Sequence, residues 1–124
     1  MNNFTRGRLF SFKYAFAGLK YVLVTQRNAW IHTTITAAVI VVAAFLELSF
    51  QDWGILLLAI GLVWTAEIFN TALEALVNLV SPQPHPLAKI AKDVSAAAVL
   101  ISAMISIGIG LLTLLPPLIR RLTP

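Results

Sequence analysis

The sequence contains no cysteine and few charged residues. Without a thiol it can form no disulfide, no thiol nucleophile and no cysteine-based metal site. Charged residues make up 11% and hydrophobic residues 59% of the 124 positions, whereas soluble domains average about 25% charged residues. Mean hydropathy is +0.87, and so small a domain could not bury that much apolar surface in its own core. These features exclude a soluble enzyme, a disordered tail and a secreted disulfide scaffold. They predict a single integral membrane domain over residues 1–124.

Three long stretches carry no Lys, Arg, Asp or Glu at all: residues 28–46, 53–66 and 94–119. A helix needs about 20 apolar residues to cross the hydrocarbon core of a bilayer. We therefore predict an all-α fold with three transmembrane helices, over residues 30–48, 53–80 and 93–115. Alternating prolines after the second helix predict a cytosolic loop at 81–92, and Pro116 and Pro117 are expected to end the third helix.

The first 28 residues combine basic and aromatic side chains. Their spacing is typical of an amphipathic helix lying in the membrane interface, here over about residues 4–28. A nucleic-acid-binding arm is a poorer interpretation, because its aromatic rings would face water, so no nucleic acid is expected as a partner. This segment carries five Lys or Arg residues and the 81–92 loop two, against two at the C-terminus. The positive-inside rule then places the N-terminus in the cytosol, with the two C-terminal arginines as weak counter-indications.

The second predicted span carries a stripe of polar residues. At about 100° per residue, five of them share one face about 100° wide. They are Glu67, Asn70, Thr71, Glu74 and Asn78. Helix–helix hydrogen bonding would be enough to explain Asn70 and Thr71. A carboxylate at membrane depth costs about 2.5–3.5 kcal/mol even on insertion scales, so the two glutamates favour a functional site. We also expect three helices to be too few to enclose this stripe, which favours an oligomer.

The cytosolic end of the stripe meets charged residues that begin the third span. Glu74 is expected near the interface with Glu67 about 10 Å deeper, and Lys92 and Asp93 lie at the level of Glu74. Phosphoryl transfer uses carboxylates for Mg²⁺, a cation for phosphates and a base for the attacking hydroxyl. The sequence has no phosphate-binding loop and no protein-kinase motif, so a nucleotide site would have to be built from helix ends.

Two segments resemble the signature of the small prokaryotic diacylglycerol kinase family, which includes undecaprenol kinases. They read EIFNTALE at 67–74 and HPLAKIAKD at 85–93. The likeness extends over about residues 12–105, and RNAWIH at 27–32 resembles the undecaprenol kinase-like branch. The resemblance implies ATP-dependent phosphorylation of a lipid alcohol, diacylglycerol or undecaprenol. It also implies a homotrimeric helical bundle in a bacterial plasma membrane, working on membrane lipids at the cytosolic leaflet through sites shared between subunits.

The same resemblance implies a role for each matching residue. Glu67 matches the catalytic base that activates the lipid hydroxyl, and Asn70 matches an active-site asparagine. Glu74 matches a ligand of the Mg²⁺ that accompanies ATP. Lys92 matches a lysine that contacts the ATP phosphates, and Asp93 matches its acidic neighbour.

Three further positions are related to these roles. Lys89 is another candidate for the ATP phosphates, although a basic residue flanking a span needs no such role. Gln26 stands where the family usually has a second metal-binding glutamate, and Asn78 where it usually has an aspartate. Both positions keep a hydrogen-bonding amide but lack the anionic charge.

Two other functions stay open at this stage. A small proton-coupled transporter would use Glu67 as its coupling carboxylate, but it would usually show a repeated half, which is not visible here. A catalytically weak or silent membrane homologue, acting as a scaffold, is favoured only by Gln26 and Asn78. His32 is expected to be an interfacial side chain rather than a ligand. The small residues of the third span, Ser102 and Ser106 among them, are expected to serve close helix packing.

Overall fold

The computed structural model describes residues 3–123, which form four α-helices and no β-strand. The helices are α1 (Asn3–Thr25), α2 (Arg27–Phe45), α3 (Phe50–Val80) and α4 (Pro86–Leu122). Helices α2, α3 and α4 are long and apolar enough to cross a membrane. The chain is thus a multi-pass membrane protein, and the prediction of three spans preceded by one further helix is confirmed. Residues 1, 2 and 124 of the predicted domain lie outside the described residues.

The first span lies three residues earlier than predicted. Gln26 has an extended backbone (φ −101°, ψ 117°) immediately before α2, and the helix ends at Phe45 rather than at residue 48. Glu47 then takes a left-handed conformation with φ 52°, which cannot continue a right-handed helix. The Ser49 hydroxyl accepts a hydrogen bond from the Asp52 backbone N–H at 3.2 Å, so this cap begins α3 at Phe50 rather than at residue 53.

Helix α4 is longer than predicted at its start. Nδ1 of His85 accepts a hydrogen bond from the Leu87 backbone N–H at 3.2 Å and so caps the helix. Pro86 occupies the first helical position, where its missing N–H removes no intrahelical bond. The cytosolic loop predicted for 81–92 is therefore wrong for 86–92, which are helical, and the α3–α4 connection shortens to residues 81–85.

Helix α4 also continues through Pro116 and Pro117 to Leu122, so the prediction that these prolines end the helix is wrong. Proline has a helix-compatible φ, and its cost comes from the lost N–H and from crowding of the preceding turn. Contacts beyond the prolines hold the last turns in place. Arg121 donates a hydrogen bond to the Phe45 carbonyl at 2.8 Å, and its guanidinium lies 4.4 Å from the centre of the Phe45 ring. The end of α4 is thereby fixed against the end of α2.

The main helix interface lies between α3 and α4. Small and aliphatic residues are buried on both sides of this interface, among them Ala59 and Val63 on α3 and Val99 on α4. The Ser106 hydroxyl donates to the Ala59 carbonyl at 2.9 Å, which requires the two backbones to approach closely, as the small-residue spacing of α4 predicts. In contrast, the described aromatic side chains of α1, such as Tyr14, are exposed. The interfacial position of α1 stays a prediction.

Candidate functional site

Glu67 lies on the inner face of α3 and is 1% exposed. The buried residues of this helix recur at steps of three and four, and Glu67 belongs to that series together with Val63 and Asn70. Neither of its carboxylate oxygens has a hydrogen-bond partner among the described residues. Buried polar groups are nearly always satisfied in folded proteins, so this carboxylate needs an explanation, and a catalytic role is one. The role of Glu67 as catalytic base stays a prediction.

His32 on α2 faces Glu67, with Nε2 3.9 Å from the carboxylate Oε2. The His32 ring contacts the edge of Trp64, with ring centres 6.5 Å apart and planes at 65°. The Trp64 indole N–H in turn donates to the Thr36 hydroxyl at 3.3 Å. The His32 side chain is 14% exposed and points at α3, a contact that the expectation of an interfacial side chain does not include. One signal in the sequence was that His32 and Thr36 lie four residues apart, on the same face of α2.

Asn70 connects the stripe on α3 to α4. Its amide N–H donates to Oε1 of Glu74 at 3.2 Å, and its carbonyl accepts from the Ser95 hydroxyl at 2.7 Å. Asn70 and Ser95 are both buried, whereas Glu74 is partly exposed. The amide is thus held between a carboxylate of its own helix and a hydroxyl of the neighbouring one. The sequence prediction missed Ser95, although it follows Lys92 by three residues and so shares its helix face.

Lys92 reaches back from α4 to the end of the stripe. Its ammonium donates to the Asn78 side-chain carbonyl at 2.6 Å. Lys89 and Asp93 instead pair with each other at 2.5 Å, with side chains 78% and 61% exposed. Of the three α4 residues predicted to contact ATP, only Lys92 therefore touches the stripe in the described part of the chain.

The stripe divides into a buried part and an accessible part. Glu67, Asn70 and Thr71 are buried within a single chain by the α3–α4 packing, to which α2 adds a third wall. The three helices thus enclose the inner part of the stripe but, as expected, not all of it. Glu74 is partly exposed and Asn78 is exposed, at the end of α3 that faces the short connection to α4.

The predicted metal ligands do not form a closed cage. Within the described residues, no three His, Cys, Asp or Glu side chains lie close enough together to hold a metal. Gln26 precedes α2, its side chain makes no cap hydrogen bond, and no hydrogen bond joins it to Glu74 in this part of the chain. Magnesium in nucleotide sites commonly binds one or two carboxylates plus substrate phosphates. Glu74 fits that pattern, since Asn70 holds one carboxylate oxygen and the group remains partly accessible.

An apolar cavity of about 520 Å³ lies between α2, α3 and α4. Its lining is almost entirely aliphatic, including Ile35, Val63 and Leu111. His32 is the one ionisable residue among the described residues that line it. The cavity therefore has a polar end, and this end lies beside the Glu67 carboxylate.

Comparisons with known proteins give concordant matches. Residues 13–114 match the family model described as prokaryotic diacylglycerol kinase. The chain is 47% identical over 112 residues to a diacylglycerol kinase of Synechocystis sp., covering 90% of this chain and 64% of that relative. It is 43% identical over 108 residues to an undecaprenol kinase of Bacillus subtilis, covering 87% of this chain and 88% of that relative. A diacylglycerol kinase of Escherichia coli K12 is 28% identical over 94 residues, covering 76% of this chain and 77% of that relative. The chain thus spans less than two thirds of the Synechocystis relative.

Proposed function

Because this chain belongs to the prokaryotic diacylglycerol kinase family, we propose that it transfers the γ-phosphate of ATP to the hydroxyl of a membrane lipid alcohol. The family match confirms the resemblance drawn from the two signature segments, and relatives named diacylglycerol kinase and undecaprenol kinase support a lipid kinase function. The observation that carries the proposal is the buried Glu67 carboxylate, whose oxygens have no hydrogen-bond partner in the described residues. It lies within one helical turn of an asparagine bonded to a more accessible carboxylate, that of Glu74.

Glu67 is proposed as the base. The acceptor hydroxyl attacks the γ-phosphorus of ATP, the bond to the leaving ADP breaks, and the hydroxyl proton passes to a Glu67 oxygen. Phosphoryl transfer depends mainly on positioning and charge stabilisation, so no covalent enzyme intermediate is needed. The absence of a competing hydrogen bond among the described residues leaves both Glu67 oxygens able to accept that proton.

The nucleotide is proposed to bind at the accessible end of the stripe. Glu74 and Gln26 would hold the Mg²⁺ that enters with ATP, and this ion would neutralise phosphate charge. Lys92 is suited to contact the phosphates, since its hydrogen-bond partner Asn78 is a neutral amide and leaves the ammonium charge uncompensated. Lys89 and Asp93 are proposed as outer contacts, because each already neutralises the other.

The acceptor, the membrane and the assembly are part of the same proposal. The acceptor is diacylglycerol or undecaprenol, the two lipid alcohols after which the relatives are named. The distribution of Lys and Arg favours a cytosolic N-terminus and a site at the cytosolic leaflet of a bacterial plasma membrane. A homotrimer is favoured by the accessible position of Glu74 and Asn78, polar groups of α3 that a single chain leaves uncovered.

The test uses the purified full chain in mixed micelles with labelled ATP and Mg²⁺. Diacylglycerol, undecaprenol and a short-chain alcohol are supplied in separate reactions, with Glu67→Gln as the control variant. We expect label in at least one lipid with the unsubstituted protein and none above background with the variant. No labelled lipid with any acceptor would favour the silent homologue. Proton flux into liposomes without a phosphorylated product would favour the transporter.

A further inference from the structure

The partly buried His32 and the buried Glu67 face each other on neighbouring helices. Nε2 of His32 lies 3.9 Å from Oε2 of Glu67, and the two side chains are 14% and 1% exposed. Nε2 has no hydrogen-bond partner among the described residues, and neither Glu67 oxygen has one. An imidazole N–H is a donor and a carboxylate accepts, so one bond between them would satisfy a buried group on each helix.

We propose that His32 is a positioning residue for Glu67. Its Nε2–H donates to Oε2 and so directs the second oxygen, Oε1, toward the acceptor hydroxyl. The inference rests on the proposed function, because it concerns a base that takes a proton from a lipid alcohol. The last torsion of a glutamate is broad, so a carboxylate without a fixed hydrogen bond samples many orientations. One bond to Oε2 removes that freedom and leaves Oε1 unbonded to receive the proton.

The separation of Nε2 and Oε2 is compatible with this role. A hydrogen bond between nitrogen and oxygen needs about 2.7–3.2 Å, so the pair has to close by about 1 Å. Catalytic hydrogen bonds are often long without substrate and tighten in the reacting complex. A small change in the Glu67 side-chain torsions supplies that movement without a shift of either helix.

The surroundings hold the imidazole in place. The Trp64 edge packs against the His32 ring, and Thr36 accepts the indole N–H at 3.3 Å. Trp64 belongs to α3, as Glu67 does, and lies three residues before it, so the same helix supplies the packing partner and the carboxylate. The ring therefore cannot turn away from α3 without losing the Trp64 contact.

The position of His32 also relates the base to the apolar cavity. His32 is the one ionisable group among the described residues lining that space, whereas Glu67 lies behind it and is not part of the lining. An imidazole at this point gives the aliphatic cavity a polar end. Replacing His32 with an apolar side chain would remove the proposed hydrogen-bond donor to Glu67. It would also extend the apolar lining of the cavity up to the carboxylate.

The first experiment compares two substitutions of His32 with one neighbouring control. His32→Gln keeps an N–H donor at nearly the same reach, whereas His32→Leu keeps bulk and loses the donor. The control is Thr33→Val, since the Thr33 hydroxyl donates only to the Ala29 carbonyl of its own helix. We expect His32→Leu to lower kcat by about 10- to 100-fold with KM for ATP little changed, because a misplaced catalytic group reduces turnover more than nucleotide binding.

His32→Gln distinguishes loss of the proposed hydrogen bond from a general effect of substitution on folding. His32→Gln is expected to recover most of the lost kcat, and Thr33→Val to match the unsubstituted protein. Equal kcat values for His32→Gln and His32→Leu would overturn the proposal, whether both are high or both are low. A rise in KM for ATP with unchanged kcat would likewise overturn it.

The second experiment does not depend on turnover. The chain contains two histidines, His32 and His85, so ¹⁵N-labelled imidazoles give two sets of signals in micelles. His85→Asn assigns them while keeping a side chain able to cap α4. We expect the His32 Nε2 signal to shift in Glu67→Gln and to stay unchanged in Glu74→Gln, whose substituted side chain lies about 10 Å further along the helix.

The two experiments distinguish failure of the His32–Glu67 pairing from failure of the proposed function. A His32 signal that is the same in the unsubstituted protein and in Glu67→Gln overturns the pairing, whatever the activity. If no lipid alcohol is phosphorylated by the unsubstituted protein, the proposed function fails, while the signal comparison still decides whether the pair exists. If His32→Leu is not recovered in folded form, the signal comparison and the kcat of His32→Gln carry the decision.

Discussion

Ser95→Ala is expected to slow phosphoryl transfer through Asn70. The Ser95 hydroxyl lies 2.7 Å from the Asn70 carbonyl, and the Asn70 amide donates to Glu74 at 3.2 Å. Alanine leaves that carbonyl without its donor and lets the amide turn away from Glu74. Interhelical hydrogen bonds in membrane bundles contribute about 0.6 kcal/mol on average and about 1.7 kcal/mol at most, which sets the expected loss of stability. We expect kcat to fall about tenfold, corresponding to about 1.4 kcal/mol of transition-state stabilisation.

Two other serines of α4 are matched controls for this substitution. The Ser102 hydroxyl donates to the Ala98 carbonyl of its own helix at 2.8 Å, so Ser102→Ala should change neither stability nor kcat. The Ser106 hydroxyl donates to the Ala59 carbonyl of α3 at 2.9 Å. Ser106→Ala should therefore lower stability as much as Ser95→Ala while leaving kcat unchanged.

The assay measures both quantities for the three variants in the same mixed micelles. Stability is followed by detergent-induced unfolding, and kcat by labelled product at saturating ATP and lipid. Turnover by Ser95→Ala as fast as that by Ser102→Ala would refute this role of Ser95. An equal loss of turnover in Ser106→Ala would refute it as well, because general loosening of the α3–α4 interface would then explain both losses.

Four further predictions address the base, the nucleotide, the metal and the assembly. Glu67→Gln should lower kcat by about 10²–10⁴-fold and retain ATP binding, since an amide cannot accept the proton; near-normal turnover would contradict this. Lys92→Ala should raise the KM for ATP more than Lys89→Ala does, because Lys89 is already paired with a carboxylate; the reverse order would contradict the assignment. Gln26→Glu should lower the Mg²⁺ concentration needed for half-maximal rate, and coincident titrations would remove residue 26 from the metal site. The native mass in mild detergent should be that of a trimer, and an active monomer would refute this.

The sequence predicts the number of spans and the inner face of α3, since both depend on patterns local to one segment. Gaps without charge mark the membrane crossings, and helical periodicity alone puts Glu67 and Asn70 on one side of α3. Helix ends depend on interactions that periodicity does not encode. The left-handed conformation of Glu47 follows the end of α2. The hydrogen bond from Arg121 to the Phe45 carbonyl stabilises the part of α4 that follows its two prolines.

The partners of the predicted residues could not be found in the same way. A helical wheel gives the direction of His32 around α2 but does not say which neighbouring helix that direction meets. The same holds for Ser95, whose partner Asn70 is 25 positions away in sequence. These contacts depend on how α2 and α4 are rotated against α3, and that rotation is fixed by close packing of small residues such as Ala59.

The change in burial along α3 suits the two tasks that one polar stripe is proposed to perform. A base is most effective where water is excluded, because its charge and hydrogen bonds are then not screened. A residue that holds a metal–nucleotide complex has to be reachable from the aqueous phase. Glu67 is 1% exposed and Glu74 is partly exposed, although the two are about 10 Å apart on the same helix face. Asn70 lies between them and donates to the accessible carboxylate, so the helix itself sets the distance between the proposed base and the proposed metal ligand.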